Sequence, residues 1–120
     1  MTSRVKFIRH KGVNILHIDW SKAGSEELLQ TLEEAQRVIA SQPTGSVRTL
    51  TTVHEARVDK AVTTRLKDYV AHNKPFVRAG AVVGLNDLKM IIFNFVNRAT
   101  GRNLRAMDNV DAAKEWLASA

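Results

Sequence analysis

Between Ser46 and Asn103 the chain alternates twice between a short apolar run and a helical pattern, and this constrains its fold more than any other feature. The run from Val47 to Val53 is followed by Val62, Leu66, Tyr69 and Val70 at helical spacing. Pro75-Phe76-Val77 then leads through Val82-Val83-Gly84 into a second helical pattern from Leu88 to Ala99. Strands alternating with helices argue for parallel pairing, with the helices packed over a sheet.

Two more strands precede this unit, Val5 to Arg9 and Val13 to Asp19, joined by His10-Lys11-Gly12 as a hairpin. Leu16, Ile18 and Trp20 share one side of the second strand, and Val13 and Ile15 the other, so it belongs well inside the sheet. Ser25 is the expected N-cap of the first helix, with Glu26 and Glu27 in its first turn. Leu28, Leu32, Ala35 and Ile39 form its core stripe, widened by Leu29 and Val38, and Pro43-Thr44-Gly45 ends it. Asp59 caps the second helix, and Asn73-Lys74-Pro75 stops it. Asn86 or Asp87 caps the third, and Gly101 follows its end. A short strand is expected near Asn103 to Met107. The last helix opens at Asp108 and buries Val110, Ala113, Trp116 and Leu117. The expectation is one α/β domain over residues 1–120: a mixed sheet of about five strands backed by about four helices, in the order β-β-α-β-α-β-α-β-α.

Composition narrows the function classes. The 120 residues suffice for one core, and 44% hydrophobic with 25% charged residues is ordinary for a globular domain. Cysteine is absent, which removes disulfides, thiolate metal sites and a cysteine nucleophile. No apolar stretch of signal-peptide length follows Met1, and none approaches the ~18 residues of a membrane span. A soluble cytoplasmic protein is expected. The net charge of +6 is uneven, because residues 57–105 hold ten Lys and Arg against three Asp. Such asymmetry suits an anionic partner or simply a solvated basic surface. Nucleic acid is disfavoured, since neither a Lys/Arg run nor an aromatic platform accompanies the charge.

Catalysis has no visible foothold. His10, His17, His54 and His72 form no HExxH pair, and His54, Glu55 and Asp59 read as loop polarity rather than metal ligands. No phosphate-binding glycine motif and no GxSxG elbow is present. Glu26-Glu27 and Glu33-Glu34 splay around their helix instead of converging. Neither a catalytic site nor a cofactor is expected.

The third helix offers a binding feature. At 100° per residue Leu88, Ile91, Ile92, Phe95, Val96 and Ala99 form one broad stripe, expected to be core. Met90 and Phe93 fall outside it, with Asn94 and Asn97. An adjacent Met and Phe on a polar face mark a partner subunit, a ligand groove, or cover by a neighbouring helix such as the last one with Trp116. A homodimer is one expectation, symmetric pairs being the commonest soluble oligomers.

The segments FIRHKGVNILHIDWS, SVRTLTTVHEARVD, AHNKPFVRAGAVVGLNDLK and NRATGRNLRAMDNVDAAKEWL together span nearly the whole chain. In them the sequence resembles the small bacterial SpoIIAA-like proteins, a divergent branch of the STAS group (sulfate transporter and anti-sigma-factor antagonist domains). The resemblance implies a mixed sheet backed by helices and a non-enzymatic protein, usually of undefined function. The wider fold group includes lipid-binding domains of the CRAL-TRIO kind, so it also implies a groove for a small apolar ligand or lipid. Anti-sigma-factor antagonists carry a regulatory serine at the start of the helix after the third strand. There a phosphate suits the helix N-terminus and reshapes an interface. Here the matching stretch is Ala56-Arg57-Val58-Asp59-Lys60-Ala61, and Lys60 stands at the serine position. Thr51, Thr52, Thr63 and Thr64 are the nearby hydroxyls.

The leading functional expectation is therefore a STAS-type interaction or regulatory module without the phosphoserine switch. Arg57, Asp59, Lys60, Met90 and Phe93 would meet its protein partner. The alternative is a small-ligand or lipid-binding module in which Asn94, Asn97 and Arg98 orient a polar headgroup.

Overall fold

The computed structural model describes residues 3–120. Nine elements follow one another: β1 (Val5–His10), β2 (Val13–Asp19), α1 (Ser25–Ala40), β3 (Val47–Thr52), α2 (Lys60–Asn73), β4 (Val77–Val83), α3 (Asp87–Thr100), β5 (Arg105–Met107) and α4 (Val110–Ser119). The five strands make one mixed sheet in the order β1-β2-β3-β4-β5. β1 runs antiparallel to β2, and every other pair is parallel. The β1–β2 turn places Lys11 at φ 51 and Gly12 at φ 79, the paired left-handed geometry that matches the twist of a two-residue hairpin.

Strand alternation sorts the core onto two faces. Leu16, Ile18 and Trp20 meet α1, α2 and α3 on one face, while Ile15, Leu50, Ala81 and Val83 meet Ala113 and Leu117 of α4 on the other. The β3–β4 register shifts where Val47 faces Val77 but Arg48 faces Ala79. The bulge at Arg78 flips the parity of β4, so Val77 points to the three-helix face and Ala79 to α4. α1 supplies the best-sealed part of the core: Leu28, Leu32, Ala35 and Ile39 are all fully buried, each large aliphatic among them contributing about 1.5–3 kcal/mol. At the other end of the sheet Glu115 of α4 accepts from His10 at 2.9 Å and from Lys11 at 2.6 Å. Both pairs are exposed enough to add little to stability.

Several boundaries differ from the sequence expectation. Gly24, not Ser25, is the N-cap of α1, and no side chain caps it. Ser25 is the first helical residue, and its hydroxyl turns to Asp59. α4 is capped by Asn109 rather than opened by Asp108, because the Asn109 Oδ1 accepts from the Ala112 N–H at 2.8 Å. It buries Ala113 and Leu117 fully but Val110 and Trp116 only in part. β5 starts only at Arg105, since both main-chain groups of Leu104 are bound by the Asn97 side chain. Among the described residues no helix is long and apolar enough to cross a membrane.

Candidate ligand cavity and surface sites

α3 sits differently from α1 and α2. It packs against α2, and Val96 is its single fully buried residue. Gly84 at φ 101 precedes it and Gly101 at φ 67 caps its C-terminus, both in the left-handed region that suits glycine. Asn86 fixes its start by accepting the Lys89 N–H at 2.8 Å.

The orientation of α3 corrects the expected core stripe. Leu88 is 65% exposed, Ile91 67% and Phe95 48%, and Ala99 is exposed beside them. Ile92 and Val96 of that stripe do face inward, joined there by Lys89 and Phe93. The apolar arc of α3 is wider than half the helix, so one part of it faces inward and another lies bare.

Under α3 lies an apolar cavity of about 100 Å³. Its floor is Thr51, Val53 and Val82 with Trp20 beyond the end of β2. One wall is Leu66, Tyr69 and Val70 of α2, the roof is the inward side of α3, and Val58, Leu85 and Leu104 close it. An apolar void of this kind holds no well-bonded water and accepts an apolar ligand. Trp20 and Tyr69 meet edge-on at 5.9 Å between ring centroids, tilted by 56°. The buried Trp20 Nε1 has no hydrogen-bond partner, and neither has the Asn73 Oδ1 one turn beyond Tyr69. Burial pushes the Tyr69 hydroxyl pKa well up, with Asn73 and the Arg102 charge opposing it.

The structure separates the residues singled out by sequence. Phe93 lines the cavity, whereas Met90 is half-buried and does not. Asn94, Asn97 and Arg98 border an open polar depression of about 630 Å³, together with Gly101, Arg102 and Asn103. Within it the Asn97 amide is already committed: Nδ2 donates to the Leu104 oxygen at 2.9 Å, and Oδ1 accepts from the Leu104 N–H at 3.1 Å. No sequence signal marks Arg102, which shares the depression. In sequence it is one of many basic residues past a helix end, and only the fold carries it inward.

At the C-terminal edge of the parallel strands, Arg57 and Lys60 are exposed. Asp59 is occupied, its Oδ1 accepting the Val62 N–H at 2.9 Å and its Oδ2 the Ser25 hydroxyl at 2.6 Å. The Ser25 hydroxyl and then the Val62 amide hold its carboxyl below the usual range. Thr51 and Thr52 are buried. Thr63 and Thr64 donate back to the main-chain oxygens of Asp59 and Lys60. Thr52 also donates to the Asp19 Oδ1 at 2.9 Å, so its hydroxyl accepts the Nε2 proton of half-buried His17 at 3.2 Å.

No protein-family model, curated protein or solved structure matches the chain.

Proposed function

We propose that this chain is a non-enzymatic binding module for a small apolar molecule, held in the cavity beneath α3 and working in the cytoplasm. The observation that carries this reading is the cavity itself. It is walled almost entirely by carbon and roofed by a helix with one fully buried side chain and a glycine at either end. A pocket of that kind gains affinity by removing apolar ligand surface from water, and a weakly seated roof gives the ligand a way in. Native mass spectrometry of gently purified protein tests it. An added mass per chain should vanish on denaturation and be absent from Val96→Phe, which fills the void. Failure of any apolar probe to bind the wild type overturns the reading.

A second reading is favoured by one surface observation. Leu88, Ile91 and Phe95 lie bare on α3, and Arg57 and Lys60 are exposed at the start of α2. Adjacent exposed apolar side chains of this kind recur at protein interfaces. In this reading the chain is a STAS-like interaction module, paired with itself or with another protein, in which no phosphoserine operates at Lys60. Charge reversal at Arg57 and Lys60, or Ile91→Glu, should weaken a captured complex. Unchanged binding by both variants ends it.

A further inference from the structure

Past the C-terminus of α3 the left-handed Gly101 turns the chain back toward the sheet, which carries the Arg102 side chain inward. There its Nη1 donates to the main-chain oxygen of Val70 at 2.7 Å. Beside it Gly80 makes room for Leu104 and Thr49: a Cβ at that position would lie 2.5 Å from Leu104 Cδ2 and 2.9 Å from Thr49 Oγ1, and in ordinary contact, at 3.9 Å, with Arg102 Nη2. Val70 and Leu104 line the apolar cavity, while Arg102 itself lines the open polar depression. The guanidinium thus lines the depression while bonding the main chain of a residue that lines the cavity.

Among the described residues no carboxylate pairs with it. The ion pairs among the described residues join Arg4 to Glu27, and His10 and Lys11 to Glu115, and none of them includes Arg102. A guanidinium offers five N–H donors, and here a single carbonyl accepts from it. Arg102 is half-buried, and its remaining nitrogens open onto the polar depression, where they are available to the oxygens of an anion. Burial presses the Arg102 pKa down, and the Tyr69 hydroxyl is the group that opposes this.

We propose that Arg102 anchors the anionic headgroup of the ligand, which is thereby an acidic amphipath: an apolar chain in the cavity ending in a carboxylate at the guanidinium. This rests on the reading of the cavity as a ligand site. Planar carboxylate matches the planar donor fork in a two-bond pair, giving both charge and orientation. The Asn97 amide, being committed to Leu104, takes no part, and Arg98 contributes long-range attraction from the exposed surface. Lys89 is the competing cation. It borders the cavity at the opposite end of α3, on a flexible stem that lets its ammonium reach water.

The test is calorimetric titration of the wild type, Arg102→Met and Lys89→Met with octanoate and, separately, with octanol. Octanoate should bind the wild type about tenfold or more tighter than octanol. Arg102→Met should lose that preference while keeping its octanol affinity, and Lys89→Met should keep the preference. Equal affinities in the wild type, a preference that survives in Arg102→Met, or one lost only in Lys89→Met overturns the headgroup assignment and leaves the cavity reading standing. Binding of neither probe to the wild type overturns both. If Arg102→Met fails to fold, Lys89→Met decides: a wild-type preference that it keeps sustains the assignment, and one that it loses overturns it.

Discussion

The Ser25 hydroxyl donates to Asp59 Oδ2 at 2.6 Å, tying the first turn of α1 to the residue that caps α2. One carboxylate thus fixes two helix starts at the same edge of the sheet. Its folded pKa lies below the unfolded one, so the stabilisation is present above the ordinary carboxylate range and is lost as pH falls through the depressed folded value. Asp59→Asn should flatten the acid limb of the stability profile, and Ser25→Ala should do so in part. Urea midpoints followed through the acid range check both.

His17 gives a slope of its own. Burial, then the charges of Lys6 and Lys114, press its pKa down, with Asp19 opposing them. A histidine depressed in the fold takes up its proton more readily when unfolded. Stability is therefore greatest above its ordinary pKa and falls as pH drops toward the folded value. His17→Gln should remove this slope while keeping a donor for Thr52. An unchanged slope would place its origin elsewhere.

The rotation of α3 makes a prediction about its faces. Leu88→Gln and Ile91→Gln should each change stability by no more than about 0.5 kcal/mol. Val96→Ala should cost about 1.5 kcal/mol or more, since it strips two buried methyl groups. Denaturant unfolding of the three variants separates the faces. The opposite ranking would mean that Leu88 and Ile91, rather than the side bearing Val96, meet the core.

Much of the architecture was legible because strands and helices announce themselves one element at a time. The alternation of Val13 and Ile15 with Leu16 and Ile18 predicts the two faces of β2, and Leu28, Leu32, Ala35 and Ile39 predict the inward side of α1. α3 was misjudged because apolar residues occupy most of its circumference. Periodicity then finds the centre of the arc but not the part that faces inward, which packing against α2 and the core decides. Ser25 reads as a cap by residue type, yet Asp59, remote in sequence, takes its hydroxyl. The cavity had no pattern to read, since a void is a shortfall of packing among several elements. Arg102 was hidden for the same reason.

Gly80 is a tightly determined position. Gly80→Ala would drive a methyl group against Leu104 and Thr49 and should cost about 1–3 kcal/mol. Trimming the neighbour in Gly80→Ala/Leu104→Ala should recover part of that cost. Thermal unfolding of the single and double variants measures the coupling, and strict additivity would show that Leu104 does not crowd the site.

Each strand lies beside its neighbour in the chain, so the sheet can be laid down in the order in which it is synthesised, without a distant segment being inserted between strands already paired. The two faces are not finished together. Helices α1, α2 and α3 arrive between the strands they cover, but Ile15, Leu50, Ala81 and Val83 wait for Ala113 and Leu117, which follow all five strands. A growing chain therefore displays an uncovered greasy sheet until α4 emerges, and that interval is when chaperone capture and aggregation compete for it.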